Sequence, residues 1–307
     1  MNWSCQFSDF DEMAENIADW SDRYEQISCG AFRAKITISA SPSIEILTQS
    51  WNLGLSNQGA APRNRRSFAF PVIAGQPFRF NGAVAKGAAV LTARGGKEYH
   101  LLTAGTLHLV IASFAPAMID ARLRAHFACE HLHLDEPRLL AARSEEAVIA
   151  AGRALDTLGR AMAGAGMEAL AQLEERAADI VLSTLALPSS APALTPRVRL
   201  ARRIEDVLRD RLSDPPRINE LCRITGAPER TLHLAFQEAY GHSPAAYLRR
   251  LRLNAVRRVL LEPGGAPVTA AATRFGFFHF GRFAADYRQF FGDSPSETAR
   301  RRGVAEP

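Results

Sequence analysis

The feature that most constrains this chain is a near-repeat in its last third. The stretch "INELCRITGAPERTLHLAFQEAYGHSP", residues 218–244, can be laid on "VTAAATRFGFFHFGRFAADYRQFFGDSP", residues 268–295. Ile218 and Gly226 meet Val268 and Gly276 at a spacing of 50. Leu232, Phe236, Gly241 and a Ser-Pro pair meet Phe283, Tyr287, Gly292 and a second Ser-Pro at 51, so one residue has been added after the first glycine. Each copy reads as a helix, a glycine turn, a second helix, a glycine and Ser-Pro. The turn glycine is physically required, because positive φ is cheap only for glycine. This is the build of a helix-turn-helix, in which the N-terminal residues of the second helix meet base edges in the DNA major groove. One such unit is a weak signal; two at a fixed period are a strong one.

Charge points the same way. From Arg197 onward there are 20 Arg, no Lys and 12 acids, a balance of +8, whereas residues 1–196 balance to −3. A basic segment attached to a mildly acidic one implies a polyanion partner for that segment alone. In the first repeat, Leu232 and Phe236 lie at i, i+4 and face the core, with Ile218, Leu221 and Ile224 of the preceding helix. Arg230, Thr231, His233 and Leu234 are left at the outward start of the second helix. Between the repeats, "AAYLRRLRLNAVRRVLL", residues 245–261, reads as one continuous helix of roughly 25 Å at 1.5 Å per residue. Tyr247, Leu248, Leu251, Val256, Val259 and Leu260 face inward. Its five arginines, Arg249, Arg250, Arg257 and Arg258 among them, are candidates for phosphate contact or for ion pairs on a solvated face.

Residues 275–295, "FGFFHFGRFAADYRQFFGDSP", hold eight of the chain's 25 aromatics. Read alone, the stretch resembles a base-stacking platform. Laid on the first repeat it becomes scaffold: Phe283 and Tyr287 take the places of Leu232 and Phe236, Phe290 and Phe291 close the helix, and Phe275 and Phe277 flank the turn. At least one of Phe278 and Phe280 is expected partly exposed.

The span from about Arg202 to Arg302 resembles the AraC/XylS family of transcription regulators, on "AYLRRLRLNAVRRVLL" and on "GFFHFGRFAADYRQFFGDSPSETAR", residues 276–300. The resemblance implies an all-α DNA-binding domain with two helix-turn-helix motifs, at about 218–240 and 268–291, joined by a long helix. It carries base readout onto Arg230, Thr231, His233 and Leu234, and onto Gly281, Arg282 and Ala285. Arg249, Arg250, Arg274 and Arg288 are the phosphate candidates. Where many members have a capping serine this chain has Pro228 and Phe278, and neither side chain can accept the N-cap hydrogen bond. Gly281 and Ala285 are too small for bidentate contacts, so direct readout falls to Arg230 and Arg282. The family further implies a DNA-bound activator that meets RNA polymerase, answers a small-molecule effector and can form a homodimer.

Ahead of this lie short β-like runs from Glu25 to about Phe114, among them "AFRAKITI", "SIEILTQSWN", "SFAFPVIA" and "LHLVIASF", separated by Gly, Pro, Asn and Ser. They predict a barrel or roll of about eight strands, flanked by a helix over residues 9–22. Helices follow over 116–126, 145–162 and 167–185, the last with one apolar stripe. The layout is similar to the cupin-like sensing half of the same family. The expected fold is therefore α+β: a regulatory domain over 1–186, a linker over the Pro-rich "LPSSAPALTP", 187–196, and a DNA-binding domain over 197–303. A barrel enzyme or a protein-docking module fused to a DNA-binding domain is the alternative.

Arg63, Arg65 and Arg66 in "PRNRRS" could clamp a carboxylate or phosphate, or form a solvated loop. In "HFACEHLHLDE", His126, Cys129, His131, His133, Asp135 and Glu136 are of metal-ligand type. His131 and His133 alternate with leucines, as on a strand with one wet face, and no metal is expected. Barrel histidines are limited to His100 and His108, too few for a cupin enzyme, and no catalytic signature or cofactor motif is present. Four scattered cysteines without a CxxC pair, an acidic start without a signal-peptide pattern and the lack of an 18-residue apolar run lead to the expectation of a cytoplasmic protein off the membrane.

Overall fold

The computed structural model describes residues 2–17, 19–74, 77–85, 87–127, 136–186 and 195–301. The chain is α+β and forms two units, residues 1–24 with 32–193, and residues 25–31 with 194–307.

Up to Thr184 the chain runs β1 (Asn2–Phe7), α1 (Phe10–Glu15), β2 (Arg23–Gln26), β3 (Ala34–Ala40), β4 (Ile44–Trp51), β5 (Leu55–Ala60), β6 (Arg66–Ala74), β7 (Phe78–Phe80), β8 (Ala83–Ala85), β9 (Ala89–Arg94), β10 (Glu98–Leu102), β11 (Leu107–Phe114), α2 (Pro116–Phe127), β12 (Arg138–Ala141), α3 (Glu145–Met162) and α4 (Met167–Thr184). A seven-stranded sheet has the order β1-β3-β4-β11-β6-β9-β12 and a five-stranded one β2-β5-β10-β7-β8. The described pairings are antiparallel, with β11 matched to β4 from Leu107↔Trp51 to Phe114↔Ile44. Alternation along β6 explains the layering. Phe68, Phe70 and Val72 pack beneath α2, α3 and α4, while Ser67 and Ala69 face the interior between the sheets.

Helix α3 comes close to the sheet because two of its residues lack side chains. A Cβ on Gly152 would stand 2.4 Å from Val72 Cγ2, and one on Gly159 3.1 Å from Ile46 Cγ2. Seven residues apart on a helix, the two glycines lie on one face. The helix expected over 9–22 stops at Glu15, with Asp9 capping its start by accepting from the Asp11 and Glu12 amides. The strand β1 adds to the expected set. It pairs with β3 from Asn2↔Ser39 to Phe7↔Ala34.

The second unit is helical: α5 (Pro196–Asp210), α6 (Ile218–Thr225), α7 (Glu229–Tyr240), α8 (Pro244–Leu261), α9 (Val268–Arg274), α10 (Phe280–Phe291) and α11 (Pro295–Arg301). Pro196, expected at the end of the linker, is the first residue of α5, whose N-cap Thr195 accepts from the Val198 amide; residues 187–194 lie outside the described residues. Residues 25–31 belong to this unit. Asn254 donates to the Gln26 carbonyl at 2.9 Å and accepts from the Gln26 amide at 3.1 Å. The Gly30 amide donates to Phe290 O at 3.0 Å. Glu25, almost wholly buried, forms ion pairs with Arg209 at 2.6 Å and Arg258 at 3.2 Å. A second buried carboxylate, Glu205 on α5, accepts from Tyr240 and Tyr247 and pairs with Arg209.

Candidate nucleic-acid interface

Both repeats fold as helix-turn-helix units, and the matched residues do matched work. Gly226 ends α6 with φ 69°, and Gly276 follows α9 with φ 79°. The positive φ at Gly276 disfavours any side chain, and a Cβ there would in addition crowd the Arg252 guanidinium at 3.1 Å. Leu232 and Phe236 on α7, and Phe283 and Tyr287 on α10, are buried. Gly241 and Gly292 close both second helices in the left-handed conformation. Each Ser-Pro is the N-cap and first residue of the next helix. Ser243 accepts from the Ala246 amide at 3.3 Å. Ser294 accepts from the Glu297 amide while its own amide donates to Glu297 Oε2, a reciprocal capping box.

The second helices start without side-chain caps. Pro228 is the N-cap of α7, and His279, one residue after the expected Phe278, is that of α10; neither side chain accepts a bond from its helix. On α7, Arg230, His233 and Leu234 are exposed and Thr231 is half-buried; His233 lies 3.7 Å from Glu229. On α10, Gly281, Arg282 and Ala285 are exposed. Among the described residues, neither Arg230 nor Arg282 makes an ion pair.

Other arginines of the unit have partners of their own. Arg249 pairs with Asp286. Arg250 donates to Ile27 O and Ala246 O, and burial lowers its pKa. Arg257 is buried beside the Phe291 ring, and Arg258 pairs with Glu25. Arg288 lies 3.7 Å from Glu297 and keeps most of its surface in solvent. Arg274 is exposed beside the Phe275 ring. Two expectations about packing are corrected. Ile224 is 44% exposed, and of the three apolar residues on α6 only Leu221 is buried. Six positions turn a helix of 3.6 residues per turn about a third of a turn off register, which carries Ile224 away from the face of Ile218. Leu248 is half-buried.

In the first unit a cavity of about 40 Å³ lies between the sheets, lined by Trp20, Gln49, Asn57, Tyr99 and Ile111 among others. Asp22 sits beside it, accepting from Tyr99 at 2.5 Å and Tyr24 at 2.9 Å; burial pushes its carboxyl up to about 6. Arg63 and Arg65 reach one open groove that Asp19 and Glu98 also line, whereas Arg66 turns inward to Asp120 at 2.5 Å. His100 is buried against Ser56 at 2.8 Å, and burial lowers the pKa of His108. Cys129, His131, His133 and Asp135 lie outside the described residues. Glu136 pairs with Lys97, and no metal-binding cluster occurs among the described residues. Among these, no helix is long and apolar enough to cross a membrane.

A family profile described as a helix-turn-helix domain matches residues 221–301. The chain is 40% identical over 111 residues to the "Probable thc operon regulatory protein" of Rhodococcus erythropolis, covering 36% of this chain and 32% of that one. It is 37% identical over 106 residues to "XylDLEGF operon transcriptional activator 3" of Pseudomonas putida, covering 34% and 31%. The alignments thus span about a third of the length of these curated relatives. Among solved structures, the AraC-like transcriptional activator CuxR is similar over 82% of this chain and 94% of its own, at 14% identity and a TM-score of 0.45. A probable AraC family transcriptional regulator from Rhodopseudomonas palustris CGA009 is 40% identical over 34% of this chain and 97% of its own, with a TM-score of 0.32.

Proposed function

We propose that this chain, whose C-terminal domain is an AraC/XylS-type helix-turn-helix domain, is a sequence-specific DNA-binding transcription regulator that inserts α7 and α10 into adjacent major-groove segments of one duplex. The observation that carries this reading is the pair of exposed, unpaired guanidiniums, Arg230 and Arg282, one near the start of each second helix. Arg-to-guanine is the commonest specific base contact, and exposed arginines around it supply the salt-dependent phosphate term. Regulation is assigned to the first unit, and DNA binding to the second, which takes residues 25–31 together with the helices from Pro196 onward. Activation is the preferred sign, in line with the Pseudomonas putida relatives being named transcriptional activators, and RNA polymerase is the partner such activation would address. A protein of this kind is no enzyme and works in the cytoplasm.

The domain ahead of the linker is assigned to sensing and to pairing two copies. The small, mostly apolar cavity between its sheets is the observation in favour of a small-molecule effector. The test is selection of full-length protein on a randomised duplex pool at physiological salt, followed by gel shift of selected against scrambled duplex. A selected sequence bound at least a hundredfold tighter than scrambled competitor supports the reading, and equal binding of the two sinks it.

A further inference from the structure

Of the eight aromatics in residues 275–295, Phe275, Phe283, Tyr287, Phe290 and Phe291 are buried, and Phe277 lies 5.0 Å from the Phe283 ring. The remaining two behave differently. Phe278 is 70% exposed and Phe280 44% exposed. They bracket His279, the N-cap of α10, and Phe280 is its first residue. A phenylalanine left in water is a standing cost of apolar surface. Two of them, two residues apart, form an apolar tip on an otherwise basic unit.

What covers that tip is indicated by its surroundings. From Arg274 to Ala285 the chain carries Arg274 and Arg282 and no acid. Gly281 has open space where a side chain would stand, so the backbone beside the two rings can be closely approached. The exposed Arg282 follows at once. An apolar tip flanked by cations, at the start of the helix assigned to the major groove, matches a polyanion with apolar spots. In a duplex groove, those spots are the 5-methyl groups of thymine, with which phenylalanine makes apolar contact.

Resting on the DNA-binding reading above, we propose that Phe278 and Phe280 are specificity-determining residues that read thymine methyl groups beside the base contacted by Arg282. The second unit would then select a thymine next to its guanine.

The test starts from duplexes that the full-length protein selects from a randomised pool. Each thymine in the selected sequence is replaced, one at a time, by deoxyuridine, which removes the methyl and leaves pairing and hydrogen bonding intact. Loss of one buried methyl should weaken the wild-type complex about fourfold, which is ~0.8 kcal/mol at 1.4 kcal/mol per factor of ten. The expected result is one or two thymines with this loss. For those thymines, the same replacement should cost Phe278→Ala or Phe280→Ala nothing further, while Phe280→Leu keeps part of the effect. If no replacement changes affinity, or if the cost is the same in wild type and both alanine variants, the proposal is overturned. Equal affinity of wild type and both alanine variants for the selected duplex overturns it too, and leaves the tip to a protein partner or a second copy. Failure of the pool to yield any selected sequence instead overturns the DNA-binding reading itself. The deoxyuridine arm does not alter the protein, so misfolding of a variant cannot mimic it.

Discussion

Tyr247 on α8 donates to Glu205 on α5 at 2.6 Å, in the core of the second unit. Tyr240 on α7 donates to the same carboxylate, and Arg209 pairs with it at 2.8 Å. One buried acid therefore ties α7 to the two helices it packs on, α5 and α8. Removing one member of a buried charged network leaves the others unpaired in low dielectric. Glu205→Ala should lower stability by about 3–5 kcal/mol, and Tyr247→Phe by about 1–3 kcal/mol. Urea unfolding followed by circular dichroism measures both; losses below 1 kcal/mol would show the network to be solvated.

Arg230 and Arg282 make a sharper pair for binding. Arg230→Ala and Arg282→Ala should each cost about 1–3 kcal/mol on a selected duplex and much less on random DNA. Gel-shift titration on both duplexes decides the matter. Equal losses on the two would turn these residues into phosphate contacts, and the salt slope would then fall by about one for each.

Gly152 sets the distance between α3 and the sheet. Gly152→Leu pushes atoms into Val72 and Phe70, and overpacking of this kind costs about 1–3 kcal/mol. A drop in melting temperature with the α3–sheet core disturbed is the expected outcome. Because the site is remote from α7 and α10 in sequence, intrinsic DNA affinity measured well below the melting temperature should be unchanged.

Asp22 predicts a pH dependence. Its carboxyl is raised from 3.8 to about 6 by burial, so between these values the folded state holds a proton that the unfolded chain has released. Stability from this group is then largest at low pH, falls as pH rises from about 4 to 6, and levels off above. The span is on the order of 3 kcal/mol at 1.36 kcal/mol per unit. Asp22→Asn should flatten the slope in this window. A slope unchanged in the variant would assign it to other groups.

The second unit was legible because its rules are local. Glycine at a turn, apolar residues at i and i+4 and a proline after a capping serine are all set within one repeat, and the structure places them accordingly. The strands with apolar runs bounded by Gly, Pro, Asn or Ser, such as β4, β6 and β11, were legible for the same reason. β5, "LSNQGA", was not, because Asn57 faces the cavity and the strand lacks an apolar stripe. The edge strand β1 exposes every second residue and is defined by its pairing with β3, a long-range fact. Burial of Arg66 and Arg257 is invisible for a related reason. Composition marks arginine as a surface residue, and only a partner such as Asp120, distant in sequence, makes burial tolerable.

The clasp between Asn254 and Gln26 bears on how this protein could be recombined. A graft of residues 195–301 onto another sensor would leave behind the seven-residue piece 25–31. Asn254, buried to 1% exposure, would then lose the amide and carbonyl it serves, and Arg258 and Arg209 would lose Glu25. The helical unit is thus a discontinuous module, and a chimera that carries those seven residues along should be more stable than one cut at the linker.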